Sequence, residues 1–75
     1  MELLSTSELI EFVFESQPKE VEAELILNGG VATHFLHVHE GKFYDMGTDS
    51  QLQEVEPEEF LEWYKGQRWH IFQVV

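Results

Sequence analysis

From Leu9 to Phe14 the apolar residues recur at helical spacing. Leu9, Ile10, Val13 and Phe14 mark one stripe, while Glu8, Glu11 and Glu15 fall largely on other faces. Ser5 and Glu8 stand three apart just ahead of this run, with the spacing of a capping box. The pattern predicts a helix over about residues 6–16, stopped at Gln17-Pro18 because a residue before proline avoids the helical region. Val21 to Leu27 alternates loosely and ends in Asn28-Gly29-Gly30, a turn signal. Two β-like runs follow, 31–39 and 42–46, separated by Glu40-Gly41, which suits a two-residue hairpin turn with glycine supplying positive φ. Residues 47–53 read as a polar loop. Glu56-Pro57-Glu58-Glu59 then opens a second helix over about 57–65, with proline in the first turn and acids near the positive end of the helix dipole. Phe60, Leu61 and Tyr64 form its expected inward stripe, Trp63 lies off that stripe, and Gly66 is the expected cap. The final run, 68–75, is β-branched and aromatic enough to be a strand, with Trp69 and Ile71 on one face.

The predicted order is helix, strand, strand, strand, helix, strand. This makes a single α+β domain over residues 1–75, a small antiparallel sheet with a central hairpin and two flanking helices. With Glu40 and Gly41 in the turn, the expected register pairs His39 with Lys42, His37 with Tyr44 and Leu36 with Asp45. One face then carries His34, Leu36, Val38, Phe43 and Asp45. The other carries Phe35, His37, His39, Lys42, Tyr44 and Met46.

Composition sharpens this picture. The 75 residues are 43% apolar and 13% aromatic, too rich in core-forming side chains for a disordered chain. There is no cysteine, which excludes disulfides, cysteine-based zinc sites and a thiol nucleophile. Asp and Glu total 15 against 4 Lys and Arg, giving a formal net charge of −11. Such a chain repels nucleic acids and acidic membranes, so neither is an expected partner. No signal-peptide pattern and no apolar run of about 20 residues is visible. The expectation is a soluble, cytoplasmic protein.

The hairpin also carries candidate chemistry. His34 and Asp45 share a face as diagonal neighbours, and a carboxylate beside an imidazole orients it and favours its protonated form. The stretch Thr33-His34 through Gly41-Lys42-Phe43-Tyr44-Asp45, spaced H-x6-G-x3-D, resembles the His–Asp hairpin of papain-like and transglutaminase-like folds. That resemblance spans about a fifth of the chain and implies His34 as general base and Asp45 as its orienting partner. Those families place a nucleophilic cysteine at the start of an upstream helix. Here the corresponding position falls near Ser5 or Ser7, whose hydroxyls are far less acidic and would need a close base and an oxyanion hole. A serine-based or vestigial hydrolase is therefore the alternative functional expectation.

On the opposite hairpin face, His37 and His39 project together and are weak metal candidates. Tyr44 is a poor third ligand, and Glu40 or His70 would depend on strand order, so no cofactor is expected. The acids fall into groups: Glu8, Glu11 and Glu15; Glu20, Glu22 and Glu24; and Glu54, Glu56, Glu58, Glu59 and Glu62. The strand trio shares one face, where like charges repel unless solvated or met by a cationic partner. In size and charge the chain resembles small acidic phage and plasmid inhibitors that block DNA-handling enzymes by imitating the nucleic-acid backbone. The leading expectation is thus a non-enzymatic binder of a basic protein. Its candidate contacts are Glu20, Glu22, Glu24, Glu58, Glu59, Glu62 and Trp63.

Overall fold

The computed structural model describes residues 2–26, 34–46 and 51–75. It is a mixed α+β fold with the elements β1 (Leu4–Ser5), α1 (Thr6–Ser16), β2 (Glu20–Ile26), β3 (Phe35–His39), β4 (Lys42–Met46), β5 (Leu52–Val55), α2 (Pro57–Trp63) and β6 (Arg68–Val74). The strands form one antiparallel sheet in the order β1-β6-β2-β3-β4-β5. The predicted turn at 28–30, the expected strand start at 31–33 and most of the expected loop at 47–53 lie outside the described residues. No helix among the described residues is long and apolar enough to cross a membrane.

Three elements depart from the sequence expectation. β5 (Leu52–Val55) begins inside the polar loop expected over 47–53, and Leu4–Ser5 forms an edge strand, β1, where none was expected. Helix α2 ends at Trp63 with Tyr64 as its cap, so Gly66 lies in the turn beyond rather than at the helix end. The reason is tertiary: the Tyr64 carbonyl accepts from the Gln67 N–H at 3.0 Å and from the Thr6 hydroxyl at 2.6 Å. Leu61, expected inward, is exposed, and Phe60 takes the buried position alone.

Helix α1 begins where its cap dictates. The Glu8 N–H donates to Ser5 Oγ at 3.2 Å, and the Ser5 N–H donates to Glu8 Oε1 at 2.8 Å, closing a capping box. These Ser5 bonds hold the Glu8 carboxyl below its ordinary value. Ser5→Ala should cost about 1 kcal/mol, read as a lower urea midpoint with an unchanged m-value. At the other end Gln17 adopts the left-handed region (φ 47, ψ 52) and donates to the Val13 carbonyl at 2.9 Å. In the β3–β4 turn Glu40 and Gly41 have φ of 50° and 83°, the two positive values that a type I′ turn requires.

Both helices cover the same face of the sheet. Leu9, Val13 and Phe60 from the helices meet Val21, Ala23, Leu25, Leu36, Val38, Phe43, Val55 and Trp69 from the strands. Phe60 is the hub, with ring centroids 5.7 Å from Phe43, 5.2 Å from Trp69 and 5.0 Å from Tyr64. Buried Thr6 joins the layers: its hydroxyl accepts from the Trp69 indole N–H at 2.9 Å and donates to the Tyr64 carbonyl.

Candidate functional site

Since the helices occupy one face, alternate residues of β2, β3 and β6 project from the other. On β2 these are Glu20, Glu22 and Glu24, at the partly exposed positions of an alternating pattern. Antiparallel pairing sets His39 opposite Glu20, His37 opposite Glu22 and, from β6, His70 opposite Glu24. Each pair makes contact through Nδ1 and Oε1: 3.2 Å for His39 and Glu20, 3.5 Å for His37 and Glu22, 3.0 Å for His70 and Glu24. The strand trio is thus a row of partly exposed carboxylates, each in contact with an imidazole. Glu-x-Glu-x-Glu on one strand and His-x-His on its antiparallel neighbour were a visible signal, but only strand pairing shows that they meet.

The row is flanked by apolar surface. β6 shifts register against β2 between Glu22 and Ala23, where Gln73 and Ile71 are the partners and Phe72 opposes neither. The Phe72 ring meets Phe35 edge-on, centroids 6.5 Å apart at 90°. With Met46, Leu52, Glu22 and His37 these rings line a cleft of about 170 Å³.

On the helix-covered side, His34 and Asp45 lie around Tyr64. The Tyr64 hydroxyl donates to Asp45 Oδ2 at 2.6 Å, and the His34 ring lies edge-on to the Tyr64 ring at 5.8 Å. Asp45 Oδ1 is buried with no hydrogen-bond partner among the described residues. Burial first, then the hydrogen bond to Asp45 and its charge, push the Tyr64 hydroxyl well above the ordinary tyrosine value. The Asp45 carboxylate thus spends a strong bond on a phenol that sequence reading assigned only to the core.

Ser5 and Ser7 are elsewhere. Ser5 pairs with Arg68 on the sheet edge, and β6 and β2 lie between β1 and β3. Three strand spacings put it about 14 Å from β3, out of reach of His34. Its hydroxyl caps α1 and lies 3.2 Å from that of Ser7. The structure therefore brings His34 and Asp45 to one neighbourhood and leaves both candidate nucleophiles outside it.

Six further acids sit on the helices. Glu8, Glu11, Glu15, Glu58, Glu59 and Glu62 are exposed, and so are Phe14, Leu61 and Trp63. Neither helix has a basic residue in its last turn. Among the described residues every ion pair joins a histidine to a glutamate, and none involves Lys19, Lys42, Lys65 or Arg68. The seven proposed contacts accordingly divide between opposite faces: Glu20, Glu22 and Glu24 on the open sheet, Glu58, Glu59, Glu62 and Trp63 on the helical layer.

The chain matches no family model, no curated protein and no solved structure.

Proposed function

We propose that this protein is a non-enzymatic interaction domain whose helical layer docks on a basic surface of another protein. One observation carries the reading: the helical acids have no ion-pair partner among the described residues, whereas the strand acids are each held by a histidine. A cationic partner meets the helical carboxylates without first breaking internal pairs. Leu61 and Trp63, 38% and 53% exposed, supply apolar anchors beside Glu58, Glu59 and Glu62. A groove between the N-terminus of α1 and helix α2, lined by Ser5, Ser7, Glu58, Leu61, Glu62 and a single cation, Lys65, gives the surface relief. Size and net charge favour a nucleic-acid-handling protein as partner and an inhibitory role, as in small phage or mobile-element inhibitors. Glu20, Glu22 and Glu24 take no part, because a partner seated on the helices cannot touch the opposite face.

The test is capture of partners on the immobilised protein, with an unrelated acidic protein of equal charge as control. A basic protein should be retained specifically at about 0.1 M salt and released at about 1 M, where the Debye length falls from about 10 to about 3 Å. Neutralising Glu58, Glu59 and Glu62 to Gln together, or Trp63→Ala alone, should weaken that complex at least about tenfold. Glu24→Gln should leave it within about twofold. Salt-independent affinity would sink the proposal.

A further inference from the structure

We infer that Glu20, His37 and His39 form a binding site for a borderline divalent transition-metal ion, zinc being the reference case, on the face away from the helical layer. The inference is independent of the function proposed above.

The donor set has the right chemistry. Two imidazoles and one carboxylate are ligands for zinc and its neighbours, and leave an open position for water or another donor. Backbone geometry assembles them without a long loop. His37 and His39 stand two apart on β3 and project to one side, and Glu20 is directly opposite His39 on β2. The imidazole rings stack almost parallel, with centroids 6.2 Å apart and planes 11° from each other. One ligand atom from each of the three residues lies within 4.8 Å of the others. Around a tetrahedral ion with bonds of about 2.0–2.1 Å, neighbouring ligand atoms are about 3.3 Å apart. Glu20 Oε1 and His39 Nδ1, at 3.2 Å, already have that separation. Closing the remaining gap takes side-chain rotation, which partial exposure permits: 27% for His37, 49% for His39 and 39% for Glu20.

The surroundings favour the ion too. Glu22 Oε1 lies 3.5 Å from His37 Nδ1, where a carboxylate behind a ligating histidine orients its ring. Glu40 Oε1 stands 4.0 Å from His39 Nε2. Lys42 opposes His39 from β4 but is exposed, so its ammonium can turn into solvent. A net charge of −11 raises the local concentration of any divalent cation.

The molecule contains its own control. His70 and Glu24 make the same kind of contact at 3.0 Å on the other side of β2. The group of three potential ligands does not include them. Zinc should therefore choose the β3 pair and pass over His70.

Calorimetric titration of the whole chain with zinc chloride should show one equivalent bound, and magnesium chloride should give no heat. His37→Ala and His39→Ala should each weaken zinc at least about tenfold, a loss that even indirect support of a ligand can produce. His70→Ala should leave affinity within about twofold. Imidazole nitrogen resonances of the unaltered protein supply a readout that does not depend on variant folding: those of His37 and His39 should shift with zinc while that of His70 holds. No binding, equal shifts at all three histidines, or affinity unmoved by loss of His37 or His39 would each overturn the site.

Discussion

Trp69→Ala should remove about 3–5 kcal/mol of stability, enough to bring the protein close to unfolding at room temperature. A chain of 75 residues at about 0.05–0.15 kcal/mol per residue has about 4–11 kcal/mol in total. Trp69 is fully buried in β6, packed at 5.2 Å from Phe60 and 5.3 Å from Tyr64. Truncation opens a cavity beside the hub of the core and takes away the indole N–H that the Thr6 hydroxyl accepts. Since Thr6 also ties α1 to the end of α2, the loss spreads to both helices. Urea unfolding followed by circular dichroism gives the number. Trp69→Phe, which keeps much of the ring packing and loses only the hydrogen bond and some volume, should cost less than half as much. Trp63→Ala, at a site 53% exposed, should stay within about 0.5 kcal/mol of the parent. If Trp69→Ala shifted the urea midpoint no further than Trp63→Ala, the assignment of Trp69 to the centre of the core would be untenable.

How much of this was legible beforehand follows from the range of the interactions. α1 could be read because its signals are local: a capping box at Ser5 and Glu8, then Leu9 and Val13 one turn apart. The mixed α+β class could be read from the same kinds of pattern. β1 and β5 could not. Leu4–Ser5 is a strand only because β6 is there to pair with it, and Leu52 to Glu54 are all exposed, so β5 carries no alternation beyond Val55. Both are edge strands defined by backbone bonds to one neighbour, β6 for β1 and β4 for β5, rather than by a pattern of their own. Exposed Leu61 has a similar origin, for α2 has one fully buried residue, Phe60, and is too short to need a second turn of inward side chains.

The surfaces follow the same division. That Glu20, Glu22 and Glu24 share a face is a period-two fact, available from the sequence. That this face also presents His37, His39 and His70 depends on β2 lying between β3 and β6, a crossover order no local signal specifies. Carboxylates that looked equivalent in composition divide into a row in contact with imidazoles, proposed above as a cation site, and an exposed helical set, proposed above as the face for a basic protein. Tyr64 was legible as a core aromatic but not as the partner of Asp45, because that contact joins a helix end to strand β4, 19 residues away in sequence.

The Tyr64–Asp45 contact makes the second large effect, and its signature is alkaline. Folding raises the Tyr64 hydroxyl above the value of about 10 that it has in an unfolded chain. The unfolded state then gives up this proton first as pH rises, so the stabilisation is complete below about pH 10 and drains away as pH climbs toward the folded value. Between pH 8 and 11 the urea midpoint of the parent should fall more steeply than that of Tyr64→Phe, which has no proton to lose. Lysines and Tyr44 are common to both proteins, so the difference isolates Tyr64. At neutral pH the same variant should cost about 1.5 kcal/mol, the low end for a bond to a charged acceptor, because Tyr64 is only partly buried. Asp45→Asn keeps an acceptor for the phenol and removes the charge, so its alkaline loss should lie between the other two. Superimposable profiles for the parent and Tyr64→Phe would mean that the phenol, though partly buried and 2.6 Å from Asp45, is not held protonated by the fold.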